Sequence, residues 1–346
     1  MNILITGNLG YIGPILVSKL KMEGYTTFGL DTNFFFLNKH FFQKHHFPEN
    51  QIISDVRDID ISLFKNIDIV IHLSALSNDP MGELNKNLTK EINYEGSKKI
   101  ATLAKKSGVK KFIFYSSCSI YGSSDLTKYA DENSQLLPLS EYAKSKINFE
   151  KFLQGQCSEK FKCISLRNAT AFGVSPNMRF DLVLNNLFAS AFLTNEIRIL
   201  SDGEPIRPLV HIQDIVKCTL FFCKFDIPEN YISINIGQNS QNFKVKEIAN
   251  AINEILPNSQ IKILGEGIID KRSYKVSFNK LSAVTSLKLD WTISDGCKEL
   301  LNWFKKYSLN ENEIHSKKFI RIKQLKYLIE KNKISENLIW NSAANE

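Results

Sequence analysis

The stretch Asn2-Ile-Leu-Ile-Thr-Gly-Asn-Leu-Gly-Tyr-Ile-Gly13 decides the fold. Asn2–Thr6 is a short apolar, β-branched run that reads as a buried strand, and it passes straight into glycines at 7, 10 and 13. The residues that follow, Tyr11–Glu23, carry helical spacing. Strand, glycine turn and helix in that order make an anion site. Glycines allow the tight turn and let backbone approach a pyrophosphate, whose charge meets the helix N-terminus. The spacing is GxxGxxG rather than GxGxxG.

Outward from this unit, strand and helix signals alternate. Thr26–Leu30, Gln51–Ser54, Ile67–Leu73, Lys111–Tyr115 and Lys162–Leu166 read as strands, with helical stretches over Leu84–Ser107 and Ser140–Leu153. The alternation predicts an α/β fold: a Rossmann-type doubly wound parallel sheet covered on both faces, spanning residues 1–174. Beyond about residue 175 the pattern loosens. Helical stretches at Asp181–Phe192, Lys244–Leu256 and Ser294–Tyr307 mix with short strands such as Tyr231–Ile236. This predicts a smaller mixed α/β substrate-binding domain over residues 175–310, with room for strands to return to the first sheet. A helical extension, 311–346, follows; its stretch Glu313–Lys333 reads as a Lys-rich, solvated docking helix. No Pro/Gly-rich linker separates the parts, so they are expected to share one interface.

The chain of 346 residues is 43% hydrophobic and 23% charged, an ordinary globular composition. The net charge of +8 comes from 37 Lys and 7 Arg against 36 acidic residues. That imbalance does not suit a nucleic-acid surface, where clustered Arg with interleaved aromatics is expected, but it suits an anionic small substrate. No apolar run reaches the roughly 20 residues of a membrane helix, and the N-terminus lacks a basic region followed by an apolar one. A cytoplasmic protein is expected. The six cysteines show neither a CxxC pair nor histidines at metal-ligand spacing, so neither disulfides nor a metal site is expected.

Four further groups bear on chemistry. Asp31 ends the second strand, where a carboxylate accepts hydrogen bonds from both adenosine ribose hydroxyls and repels a 2′-phosphate, favouring NAD over NADP. Asp55-Val56 follows the third strand, and the small residues of His72-Leu73-Ser74-Ala75 at the fourth let backbone lie along a cofactor. His72 itself reads as a packed histidine. Tyr142 and Lys146 lie four residues apart on one helix face, so the ammonium stands near the phenol and is expected to lower its pKa toward that of a general base. Two other YxxxK matches, Tyr94/Lys98 and Tyr327/Lys331, read as exposed helix pairs because neither follows a Ser cluster at a strand end.

ITGNLGYIG, Asp31, HLSA at 72–75, YSSCSIYG at 115–122 and Tyr142-Ala-Lys-Ser-Lys146 together resemble the extended short-chain dehydrogenase/reductases. Within them the chain is similar to the NAD-dependent nucleotide-sugar epimerase/dehydratase group, in the manner of UDP-glucose 4-epimerase, over roughly residues 1–305. The resemblance implies NAD as cofactor, held by Gly7, Gly10, Tyr11, Ile12, Gly13, Asp31, Asp55, Val56, Leu73, Ser74, Ala75, Asn93, Tyr142 and Lys146. It implies catalysis by Ser119, Tyr142 and Lys146, with Ser119 holding the sugar hydroxyl being deprotonated. Arg207-Pro208-Leu209-Val210-His211 resembles the family segment whose Arg contacts the nucleotide diphosphate, although Pro208 replaces the usual Asp. Arg272, one of Asn185 and Asn186, and Thr170 complete the implied substrate contacts.

Departures narrow the chemistry. The group's 4,6-dehydratases carry an Asp-Glu pair where this chain has Cys118 and Ser119, which disfavours dehydration and, for want of the Glu, decarboxylation. Thr170 stands where Asn is usual, and Ser175–Asp181 resembles a sub-branch that makes bacterial surface sugars. The resemblance thus implies an epimerase of a nucleotide-diphosphate sugar, with C4 as the expected reacting carbon, working as a homodimer. A net dehydrogenase or ketoreductase using the same trio is the alternative. The intact trio argues against a non-catalytic dinucleotide-binding regulator.

Overall fold

The structure, a computed structural model, describes residues 1–265 and 272–341. Among the described residues, twelve strands run in chain order as β1 (Asn2–Thr6), β2 (Thr26–Asp31), β3 (Asn50–Ile53), β4 (Ile69–His72), β5 (Lys111–Ser117), β6 (Lys162–Asn168), β7 (Thr170–Phe172), β8 (Glu196–Ile199), β9 (Ile206–His211), β10 (Tyr231–Ile236), β11 (Asn242–Lys244) and β12 (Gln260–Ile263). Seven of them form one parallel sheet in the order β10-β6-β5-β4-β1-β2-β3. Strand order reverses between β1 and β4, and ligands of open α/β sheets bind in the crevice beyond the strand ends there.

Side-chain alternation sorts the two faces. Ile3 and Ile5, Ile69 and Ile71, Ile113 and Tyr115 join one apolar cluster with Leu16 and Leu20 of the helix Gly13–Met22. Their neighbours Leu4, Val70, Phe112 and Phe114 join a second, with Ile100 and Phe149. Each such side chain fully buried contributes about 1.5–3 kcal/mol. This is the doubly wound pattern of a two-faced sheet.

Residues beyond 174 build a two-stranded sheet, β12-β8, and with β7 (Thr170–Phe172) a three-stranded one, β11-β9-β7. They do not stand apart. β10 pairs with β6, Tyr231 opposite Cys163, and thereby extends the first sheet. Ile212–Lys224 supplies Ile215, Val216 and Phe222 to the same apolar cluster as Ile3 and Ile5.

Two helical expectations change. Leu84–Ser107 is segmented into Lys86–Lys90, a π-helical turn Glu91–Gly96 and Ser97–Lys106, after a short helix Asp79–Gly82. The three runs are contiguous, so the stretch is helical throughout with a π turn inside it. Asn85 caps its start by accepting from the Leu88 amide, and Asn78 caps the separate Asp79–Gly82 by accepting from the Met81 amide. The extension is not one solvated helix. It holds Glu311–Ile314 and Arg321–Glu330, and Arg321, Gln324, Leu325 and Leu328 of the latter are buried. Lysines cover only its outer side, because Leu325 and Leu328 pack into the second apolar cluster. Among the described residues no helix is long and apolar enough to cross a membrane.

Candidate active site

A cleft of about 580 Å³ opens over the reversal point of the sheet. Gly7, Gly10, Tyr11, Ile12, Asp31, Asp55, Val56, Leu73, Ser74 and Ala75 all line it. Gly7 has φ +76°, and a Cβ there would approach the Ser74 nitrogen to 2.9 Å, so only glycine lets the two strand ends meet. Gly13 answers a different need: its Cβ would strike the Asn8 carbonyl oxygen at 2.3 Å, behind the cleft. Asp31 accepts from the Leu9 amide at 3.1 Å and the Asn33 amide at 2.8 Å. Burial raises its pKa, and those two amides work against the rise. Asp55 is held by Arg57, whose Nη2 donates to it at 2.7 Å.

Asn93 does not line the cleft. Its Oδ1 accepts from the Leu76 amide at 2.8 Å and its Nδ2 donates to the Leu76 carbonyl at 3.2 Å, so it braces the segment after β4 from behind. The π turn puts it there. His72 lies 2.7 Å from Thr6 Oγ1 and 2.8 Å from Ser97 Oγ; burial holds its pKa down to about 3, which keeps the ring neutral.

Ser119, Tyr142 and Lys146 meet on one wall of the same cleft. Ser119 sits in the turn Cys118–Tyr121 at the end of β5, its amide donating to Ser117 Oγ at 3.1 Å. Its own hydroxyl oxygen is shielded and has no hydrogen-bond partner. Tyr142 opens the helix Glu141–Gln156, capped by Ser140, which accepts from the Ala143 amide at 3.1 Å. One turn later Lys146 is buried and donates to the Tyr115 carbonyl at 2.8 Å. Its Nζ lies 5.5 Å from the Tyr142 ring centre and 4.6 Å from that of Phe114.

The expected lowering of the Tyr142 pKa is not found in this cleft. Burial, then the negative charge of Asp79, push the phenol up to about 12, against a hydrogen bond from Ser117 and the charge of Arg179. Lys146 stands over the ring face and is itself pulled down to about 7 by burial, with Glu150 opposing. Lys146 is not among the groups that lower the phenol's pKa here.

Thr170, Asn186, Arg207 and Arg272 line the cleft too. Arg207 donates to the Ile206 carbonyl at 2.9 Å and to the Arg272 carbonyl, and Arg272 pairs with Asp79. Asp270 and Lys271, which precede Arg272, lie outside the described residues. Of the paired asparagines, Asn186 faces the cleft. Asn185 is fully buried, donating to the Tyr11 hydroxyl at 3.0 Å and accepting from the Gly173 amide at 3.2 Å. His211, buried, caps the helix Ile212–Lys224 and lies 2.9 Å from Glu299.

Sequence reading missed Arg179, Ser77, Asp79, Tyr274 and Arg321, all of which line the cleft. The signal for two of them was available in the composition. Four of the seven arginines (179, 207, 272 and 321) line this cleft, whereas Lys146 is the only described lysine that does. A chain that otherwise uses Lys for positive charge keeps Arg where a planar fork meets carboxylate or phosphate.

The glycine turn, the Asp31 carboxylate and an unpartnered Ser119 hydroxyl fit a dinucleotide with a polar substrate beside it. The model of the NAD dependent epimerase/dehydratase family matches residues 3–237. The UDP-glucuronate 4-epimerase of Thermodesulfobacterium geofontis is 25% identical over 320 residues, covering 89% of this chain and 92% of that protein. Among solved structures, the UDP-glucose 4-epimerase of Thermotoga maritima with UDP-glucose superposes with a TM-score of 0.75 at 24% identity, over 89% of this chain and 100% of that one. TunA, an NAD-dependent NDP-hexosamine 5,6-dehydratase of tunicamycin biosynthesis, superposes with a TM-score of 0.76 at 21% identity, over 88% and 98%. The last two show a shared fold, and they leave about a tenth of this chain without a counterpart. The family match covers more than half of the sequence, and with it the glycine turn, Asp31 and the Ser119–Tyr142–Lys146 wall: this chain belongs to the NAD-dependent epimerase/dehydratase family.

Proposed function

We propose that the chain is an epimerase of a nucleotide-diphosphate sugar, inverting C4 through a transient keto sugar in the making of surface-polysaccharide sugars. The observation that carries it is the unpartnered Ser119 hydroxyl beside Tyr142 and Lys146, in one cleft with Arg207 and Arg272. Ser119 hydrogen-bonds the reacting sugar hydroxyl and aligns it. Tyr142 would take the proton of that hydroxyl as the phenolate, which the positive nicotinamide of bound NAD would favour over the neutral phenol, and return it later. Lys146 fixes the ring's position and holds the cofactor's ribose. Bound NAD supplies the acceptor, and then the donor, of the hydride. Arg207 and Arg272 hold the diphosphate, so the keto sugar can turn over while tethered.

Elimination of water is helped by a free carboxylic acid or carboxylate beside the sugar. The cleft's described carboxylates are Asp31, Asp55, Asp79 and Asp181, and each is engaged: by backbone amides, by Arg57, by Arg272 with Ser140, and by Arg179. Cys118 points away, donating to the Arg167 carbonyl at 3.1 Å.

A panel of nucleotide sugars with product analysis by NMR tests the proposal. The purified protein should carry NAD, turn over without added cofactor, invert one carbon and accumulate no NADH. Stoichiometric NADH with no inverted sugar would assign it instead to net dehydrogenation, the reading that the shorter reach of Thr170 favours.

A further inference from the structure

The C-terminal extension brings a buried cation to the cleft. Arg321 opens the helix Arg321–Glu330, lines the cleft and is only 5% exposed. Its Nη1 donates to the Phe35 carbonyl at 3.2 Å, and the guanidinium lies 4.5 Å from the Phe35 ring centre. Nη2 is buried with no hydrogen-bond partner. The nearest acidic groups are already held: Asp181 by Arg179 at 2.8 and 3.0 Å, and Asp31 by the Leu9 and Asn33 amides. Burial and then the charge of Arg179 act against the Arg321 cation, and Asp181 and Asp31 offset them only in part. A buried charge without a close partner costs several kcal/mol, so this group calls for an anion.

The surroundings say which anion. The Phe35 carbonyl that accepts from Arg321 also accepts from Asn177 Nδ2 at 3.2 Å, and the same Nδ2 donates to the Leu9 carbonyl in the glycine turn at 2.6 Å. Arg321 is therefore tied through one side chain to the turn built for a pyrophosphate. The extension is fastened around this point. Gln324 donates to the Phe34 carbonyl at 3.0 Å, Trp340 Nε1 to the Thr32 carbonyl at 2.7 Å, and Arg57 to the Leu338 carbonyl at 3.0 Å.

We propose that Arg321 is the counter-ion of the cofactor's pyrophosphate, and that the extension straps NAD into the cleft from the loop after β2. The inference rests on NAD occupying the cleft. Arg207 and Arg272 serve the substrate's diphosphate in that reading, so Arg321 has a separate anion.

The test is calorimetric titration of NAD and of ADP-ribose into cofactor-free protein, with melting temperature measured with and without NAD. Arg321→Gln should raise both dissociation constants about tenfold or more, the effect of losing a hydrogen bond to a charged group. Arg321→Lys should recover part of that loss. Without NAD the Arg321→Gln protein should melt no lower than wild type, because a buried uncompensated charge is gone, while its rise in melting temperature on adding NAD shrinks. Unchanged NAD and ADP-ribose affinity in a folded Arg321→Gln protein overturns the proposal. So does a lower melting temperature without NAD coupled to an intact NAD-dependent rise, which would make Arg321 a packing residue; Arg321→Met, keeping the apolar stem, repeats the measurement should Gln disturb the fold. Failure of wild-type protein to bind NAD is a different result, and it removes the cofactor reading together with this one.

Discussion

The two walls of the cleft are built on different plans. Ser119, Tyr142 and Lys146 come from the end of β5 and the helix Glu141–Gln156 beside it, and Lys146 is anchored on β5 itself through the Tyr115 carbonyl. The opposite wall joins the loop after β2 to a segment almost at the other end of the chain, as in the bond from Gln324 to Phe34. The trio proposed to move the proton is thus placed by the sheet and the helix packed on it. The extension adds its buried arginine to a cleft whose glycine turn and Asp31 are already fixed by β1 and β2.

Breaking the first wall alone gives the largest expected effect. Tyr142→Phe keeps the ring against Lys146 and removes the acid/base hydroxyl, so turnover should fall about a hundredfold or more. NAD affinity, measured by titration, should stay near the wild-type value. Near-normal turnover would reduce Tyr142 to packing. Arg207→Ala probes the substrate side without touching either wall's grip on NAD. Nucleotide-sugar binding should weaken by about 1.5–3 kcal/mol. Equal substrate affinity in a folded variant would remove Arg207 from the diphosphate site.

Lys146 allows the smallest and sharpest comparison. Burial lowers its pKa from 10.5 to about 7, so between those values the unfolded chain binds a proton that the folded chain does not. Stability from this group therefore rises with pH across that window, and below it the full cost of a buried charge is present. Lys146→Met should raise the melting temperature of the unliganded protein by a few degrees at pH 7, with the gain shrinking toward pH 10. A variant that melts lower at every pH would show that the hydrogen bond to Tyr115 outweighs the buried charge.

The first wall, the glycine turn and Asp31 were legible in the sequence because their parts are local. Gly7 to Gly13, Asp31 and the Tyr142/Lys146 spacing each follow from one strand end or one helix face, and the alternation of Ile3, Leu4 and Ile5 already separates the two sides of the sheet. Asn93 was legible as a residue but not as a role, since its contact with Leu76 depends on a π turn that periodicity does not reveal. The same holds for Asn185 against Asn186. The second wall left almost no local trace. Arg321 lies in a Lys-rich stretch whose outer face dominates the composition, and its partner Phe35 is 286 positions away. The altered Tyr142 pKa was also out of reach, because burial and Asp79 enter only when the chain has folded.

The position of the strap in the chain has a consequence for synthesis. Every other residue of the cleft, from Gly7 to Tyr274, leaves the ribosome before Arg321 does. At about 5–20 residues per second the nascent chain therefore passes through a period of seconds in which the sheet and the glycine turn can be formed and the strap is still unmade. The face that Arg321 and Trp340 later cover stays open to solvent during that interval, because the loop after β2 is made well before the segment that packs on it.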